Sequence, residues 1–211
     1  MVPERVDSRR WRHVIGQAGW VLPTEPLILI GPARAGKSTV GQLLASALGR
    51  PFVDLDDVGE AFYDEVGQPL SAFVAEIADR GFAEAHRWWQ PARAHAVARV
   101  LAEHAGAVIA FGAGHSHYED RRFFDFVRDL MNTALVVLLL PDADEEVALH
   151  ELRERCLVDK GDDWVRDGTD LLEVWVSSEQ NRALADVVIY STGEGPAEVK
   201  RSIVRWLIDR S

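Results

Sequence analysis

A single cysteine, Cys156, occurs in the 211 residues, so no disulfide can form within the chain and a reducing compartment is expected. Long apolar runs are missing too. No stretch reaches the roughly 20 residues of a membrane span, and the opening MVPERVDSRRWRHV lacks the apolar core of a secretory signal. A cytoplasmic protein is expected. Positive charge is the third scarcity: 23 Lys and Arg stand against 34 Asp and Glu, a formal net charge of −11. Broad binding to nucleic acid or to an anionic membrane needs a dominant basic surface, which this composition does not supply. Any polyphosphate must then be held by local donors. No internal repeat or low-complexity tract interrupts what remains. That remainder is globular in composition, 47% hydrophobic and 27% charged. Its length suits one α/β domain, expected as a monomer or homodimer.

Residues 1–26 are polar and mixed, and end in the turn-prone Pro23-Thr24-Glu25-Pro26. They read as an extension, either a plain appendage or a segment packed on the domain edge through Trp11 and Trp20. From 27 to 211 the pattern repeats strand, loop and helix. Leu27-Ile28-Leu29-Ile30 is an apolar run closed by glycine, as a buried parallel strand would be. A helix is expected from Lys37 to Leu48, stopped by Gly49 with Pro51 beyond. A second strand, residues 51–55, ends in carboxylates. Helix then dominates residues 58–104, broken near 67–69 and 80–81. Further strands are expected at 107–111, 134–140 and 187–190, and further helices at 144–156, before the last strand, and from Pro196 onward. The alternation, without hairpin signals, predicts a three-layer α/β/α domain around a five-stranded parallel sheet.

Gly31-Pro32-Ala33-Arg34-Ala35-Gly36-Lys37-Ser38 fits the phosphate-loop pattern G-x-x-x-x-G-K-[ST] in full, directly after a strand and directly before a helix. The two glycines allow a tight turn in which successive N–H groups face one anion. The following helix adds its positive end. Lys37 is expected on the β- and γ-phosphates, Ser38 on Mg²⁺, and Thr39 beside them. The motif predicts nucleoside triphosphate binding, with ATP and Mg²⁺, but does not by itself separate kinases from other phosphate-loop proteins.

The cluster Asp54–Asp57 closes the second strand. If that strand lies close to the first in a parallel sheet, the carboxylates face the phosphate loop across the crevice where such sheets bind ligands. A kinase needs one carboxylate near the metal and another on the acceptor hydroxyl. Asp54 is assigned to the metal and Asp56 to the acceptor. Acids at such positions also serve as helix caps, and Asp57 is the one expected to do so.

At this point the chain resembles shikimate kinases. GPARAGKSTVGQLLASALGRPFVDLDDVGE is similar to that family's opening, including its F-x-D-x-D pattern at Phe52-Val53-Asp54-Leu55-Asp56. The resemblance implies that Asp54 helps hold magnesium, that Asp56 contacts the acceptor, and that residues 58–105 form the acceptor-binding helices. It also implies that Gly112, Ala113 and Gly114 contact the acceptor through their backbone. The family's F-R-x-x-E, whose arginine pairs with the shikimate carboxylate, reads Phe82-Ala83-Glu84-Ala85-His86 here, and Ser177 or Ser178 falls near a second family arginine. Losing two arginine forks removes the strongest hydrogen bonds a carboxylate can make. In their place stand His86, Trp89 and His115, as pocket lining or as core and surface residues. A lid is expected at about 153–168, with Arg153 and Arg166 as its candidate catalytic arginines; Arg155 is equally spaced for a surface pair with Glu151. The chain is thus expected to phosphorylate a hydroxyl of a cyclitol, sugar or natural product rather than shikimate. The rival readings are a nucleoside or nucleotide kinase using Arg80, Arg87 or Arg93, and a non-catalytic nucleotide sensor.

Overall fold

A computed structural model describes residues 13–15, 21–160 and 163–210, with side chains for 24–158 and 163–210. Trp11 and Trp20, expected against the domain edge, lie outside the described residues. Within the extension, β1 (His13–Ile15) pairs antiparallel with β2 (Val21–Pro23).

The central sheet holds β3 (Leu27–Ile30), β4 (Phe52–Asp54), β5 (Val108–Ala110) and β6 (Leu135–Leu140), and a last strand at Val187–Tyr190, all parallel. Every residue of β3, β5 and β6 is buried, because helices cover both faces. Alternate side chains feed separate cores. Ile28, Ile30, Val136, Leu138 and Leu140 pack toward one face, and Leu27, Leu29, Leu135, Val137 and Leu139 toward the other. Each buried aliphatic chain contributes about 1.5–3 kcal/mol.

The first face carries α2 (Leu55–Glu65), α3 (Leu70–Arg80), α4 (Phe82–Trp88), α5 (Gln90–Glu103) and α6 (Arg121–Met131). The second carries α1 (Lys37–Leu48), α7 (Glu145–Lys160), α8 (Leu171–Val176) and a closing helix at Pro196–Asp209, which packs on α1 and lies beside β2. One further short helix, α9 (Glu179–Leu184), precedes the last strand. Below the sheet, the Arg50 guanidinium donates to the carbonyls of Gly106 (2.5 Å), Ala107 (3.2 Å) and Glu25, tying together the entry ends of β3, β4 and β5.

Four features depart from the expectation. The strand order β4-β5-β3-β6 puts β5 between the first two strands of the sheet. Strand β4 ends at Asp54 and the chain turns into α2 without a loop, so the cap is Asp54, whose Oδ1 accepts from the Asp56 N–H at 3.1 Å. Asp57 falls inside the first helical turn and is not the cap. Helix α6, opened by Asp120 accepting from the Arg122 N–H, was unforeseen. So was a hairpin of β7 (Val165–Arg166) and β8 (Thr169–Asp170), turned at Asp167-Gly168.

Candidate active site

The loop between β3 and α1 turns in a way open only to glycine at its first position. Gly31 has φ +139°, and a Cβ there would fall 2.3 Å from the Leu139 carbonyl oxygen. At the other end, Gly36 is the N-cap of α1, in the left-handed region at φ 89°. No side chain caps α1 and no acid occupies its first turn, so its first N–H groups and positive end suit an external anion. The Lys37 ammonium is buried and donates to the carbonyls of Gly31 (3.0 Å) and Pro32 (2.6 Å). Burial lowers its pKa to about 8, and the nearby Asp56 and Asp54 oppose the fall. Above this loop opens a cavity of about 520 Å³, lined among others by Ala33, Lys37, Ser38, Thr39, Asp56 and Ala113. Ala35 turns inward to the core and Arg34 lines the same cavity.

One strand away, Asp54 reaches back to the loop: the Ser38 hydroxyl donates to its Oδ2 at 2.5 Å. Two hard oxygens so close suit magnesium. Magnesium is commonly bound by one or two protein oxygens together with substrate phosphate. Asp56 leaves the first turn of α2 with its carboxylate exposed in the cavity and lies tight over Gly112, where a Cβ would fall 2.0 Å from Asp56 Oδ1. Only glycine permits that approach.

Behind this turn the wall is aromatic and imidazole-rich. His115 is buried, its Nε2 2.8 Å from the Tyr63 hydroxyl and its Nδ1 3.9 Å from Asp56 Oδ1. His86 stacks on Phe82 at 5.3 Å, and burial, with Arg93 beside it, lowers its pKa to about 2. Trp89, expected to line the acceptor pocket, lies in the core instead. It is 7% exposed, stacks on Phe73 at 4.3 Å, and donates its indole N–H to the Gln68 carbonyl at 2.9 Å. Sequence reasoning gave Arg93 only to a rival reading. In the structure it is buried on α5 and donates to the carbonyls of Gly114, His117 (3.1 Å) and His86 (3.3 Å), with its guanidinium 5.1 Å from the Tyr118 ring. It therefore braces the Gly112–Gly114 turn from behind.

The lid candidates separate. Arg153 pairs with Asp170 and is not among the cavity-lining residues. Arg166 lies over the Trp164 ring at 5.6 Å. Arg155, which the spacing also allowed as a surface pair, does pair with Glu151, yet it also donates to the Arg34 carbonyl at 3.2 Å and lines the cavity with Trp164. The signal for that role was present only as one of three nearby arginines. At the hairpin tip, Asp167 accepts from the Ala83 N–H at 2.9 Å and so caps α4 from 84 residues away.

The chain is similar to known proteins in sequence and in fold. The family model described as shikimate kinase matches residues 34–208. A shikimate kinase of Chromohalobacter salexigens is 30% identical over 188 residues, which cover 87% of this chain and 91% of that one. One from Francisella tularensis subspecies novicida is 27% identical over 195 residues, covering 90% and 99%. Among solved structures, shikimate kinase from Acinetobacter baumannii in complex with shikimate shares the fold with a TM-score of 0.61 at 21% identity, over 89% of this chain and 94% of that one. A sugar kinase from Janibacter sp. shares it with a TM-score of 0.52 at 18% identity, over 88% and 95%. This chain therefore belongs to the shikimate kinase family and is an ATP-dependent small-molecule kinase.

Proposed function

We propose that the chain transfers the γ-phosphoryl group of ATP to a hydroxyl of a small neutral polyol, such as a cyclitol, a sugar or a hydroxylated natural product. The observation that carries this reading is the engagement of the arginines on the acceptor helices. Arg80 pairs with Glu76 at 3.1 Å. Arg87 is held between Glu84 and Glu119 at 2.5 and 2.8 Å. Arg93 is buried among carbonyls. By the resemblance, the family's first carboxylate-binding arginine corresponds to Ala83, and its second falls near Ser177 or Ser178. The Ser177 hydroxyl donates to the Glu173 carbonyl at 2.8 Å, and Ser178 caps α9. The same engagement speaks against a monophosphate acceptor. A second reading, shikimate itself, draws on the names of the curated relatives.

In this mechanism Lys37 and the loop N–H groups hold and polarise the transferring phosphoryl group. Ser38 and Asp54 would hold Mg²⁺, which would supply positive charge to offset that of the transferring phosphoryl group. Asp56 orients the acceptor hydroxyl and receives its proton. Asp56, Ala113 and the backbone of the Gly112–Gly114 turn form the acceptor wall, and Arg155 with Trp164 covers the nucleotide side. ADP release measured with Mg-ATP over a panel of myo-inositol, glucose and shikimate tests the reading. Turnover of a neutral member, with little on shikimate, is expected. A kcat/KM on shikimate of about 10⁴ M⁻¹s⁻¹ or more, ordinary for an enzyme on its own substrate, would overturn the acceptor class.

A further inference from the structure

We infer that His115 is a positioning residue for Asp56: its Nδ1–H is built to hold the Asp56 carboxylate toward the acceptor hydroxyl, and Tyr63 sets the tautomer that makes it a donor. The inference rests on the reading of Asp56 as the acceptor's carboxylate.

The geometry points one way from each side of the ring. His115 is 4% exposed, and its Nδ1 is buried without a hydrogen-bond partner among the described residues. The carboxylate oxygen Asp56 Oδ1 lies 3.9 Å from it, just beyond bonding range. The other ring nitrogen, Nε2, is 2.8 Å from the Tyr63 hydroxyl. The backbone around the ring is fixed, since the His115 N–H donates to the Gly112 carbonyl at 3.0 Å and the Tyr118 hydroxyl donates to the His115 carbonyl at 3.1 Å. An imidazole held this firmly, with one nitrogen satisfied and one not, leaves Nδ1 as the ring atom nearest the Asp56 carboxylate, with the Gly112 carbonyl also acting on the ring.

Which nitrogen carries the proton follows from the neighbours. Burial, with the Arg93 guanidinium next, lowers the His115 pKa to about 3, while the Gly112 carbonyl and Asp54 favour the charged form less strongly and Lys37 opposes it. The ring is therefore neutral and holds one proton. Burial and Asp56 push the Tyr63 phenol up, so it remains an O–H donor. If the hydroxyl donates to Nε2, the proton sits on Nδ1 and faces Asp56. The opposite tautomer would set a bare nitrogen lone pair against a carboxylate oxygen, two acceptors facing each other. The 3.9 Å gap is small enough to close by rotation of the exposed Asp56 carboxylate, as catalytic hydrogen bonds commonly tighten once substrate is bound.

Substitution can divide the two nitrogens, because an Asn side-chain amide reproduces the Nδ1 position and a Gln amide the Nε2 position. In ¹⁵N-histidine NMR of the full chain, an experiment that needs no acceptor, His115 is expected as the Nδ1–H tautomer, with Tyr63→Phe shifting it toward a mixture. In ADP-release kinetics with myo-inositol, or with shikimate if that is turned over faster, H115Q should lose about tenfold in kcat, the order of a charge-assisted hydrogen bond, with the KM for ATP unchanged. H115N should retain most of the activity. D56N/H115Q should be no slower than D56N, because His115 acts through Asp56. A wild-type Nε2–H tautomer, a fully active H115Q, or equal losses in H115N and H115Q with lowered melting temperatures would each overturn the inference. Full activity in D56N would instead remove the reading of Asp56 on which it rests.

Discussion

The phosphate-loop side of the cleft comes from one unbroken stretch, residues 31–39, and its geometry is mostly backbone. The facing side is assembled from α2, α4, α5 and the turn at 112–115, and its geometry is mostly side chain. The loop is set by local rules, namely a strand, two glycines with positive φ and an uncapped helix start. The helical side depends on packing among residues far apart in sequence, as in the contact of Tyr63 with His115 or the Arg93 bonds to Gly114 and His117. A perturbation should accordingly damage chemistry on one side and stability on the other.

The largest expected effect lies on the helical side. Trp89 stacks on Phe73 and meets Tyr63 at a tilt, each at 4.3 Å between ring centroids, and its N–H is satisfied inside the core. Trp89→Ala should cost about 3–5 kcal/mol of stability through the cavity it leaves, read as a fall in the denaturation midpoint. A variant of near-normal stability with a raised acceptor KM would show that Trp89 belongs to the pocket after all, and that the contrast between the two sides is drawn too sharply.

The loop should respond in the opposite sense. Lys37→Ala removes a buried charge that burial already disfavours, as its lowered pKa shows. The folded state should therefore keep its melting temperature or gain slightly. Turnover should fall by about 10²–10³-fold or more, the loss typical of removing one preorganised donor from developing charge. Thermal melts and single-turnover ADP formation on the same preparation would check both halves. A destabilised Lys37→Ala protein would mean that the ammonium bonds to Gly31 and Pro32 hold the loop's shape rather than await a phosphate.

The same contrast explains what could be read from the chain alone. Strands β3 and β6, helix α1 and the loop between β3 and α1 were legible because hydrophobic runs and glycine spacing report local conformation. The Asp54–Ser38 contact was legible only as a consequence of sheet order, and the intervening β5 did not disturb it because a parallel sheet aligns the ends of all its strands. Asp57 was preferred as the cap because a loop was assumed between strand and helix, and none exists. The Asp167-Gly168 pair was a hairpin signal that passed unread inside a polar segment. Helix α6 was missed although Phe123, Phe124, Val127 and Met131 fall at helical spacing. Arg93 was beyond reach, since a buried arginine bonded to three carbonyls looks, in sequence, like any surface arginine on a helix.

A hydrogen bond joins the β7–β8 hairpin to α4, and it provides the finest test of the comparison. Helix α4 begins at Gly81, which has no side chain to cap it, and the Asp167 carboxylate supplies the missing acceptor for the Ala83 N–H. Gly81 suits this place because its φ of +83° is in a region that side-chain-bearing residues rarely adopt. Asp167 itself sits at φ 50° at the hairpin tip, a conformation that its own side chain tolerates better than most. The cap ties the position of α4 to that of the hairpin, and the hairpin also carries Arg166 against the Trp164 ring that lines the cavity. Asp167→Ala should raise the acceptor KM roughly fivefold, the equivalent of a lost cap of about 1 kcal/mol, while the KM for ATP changes little. Asp167→Asn should recover most of the loss, because its amide oxygen accepts the same bond. Equal shifts in both KM values would show that the hairpin serves the nucleotide as much as the acceptor, and that the two sides of the cleft are coupled through it.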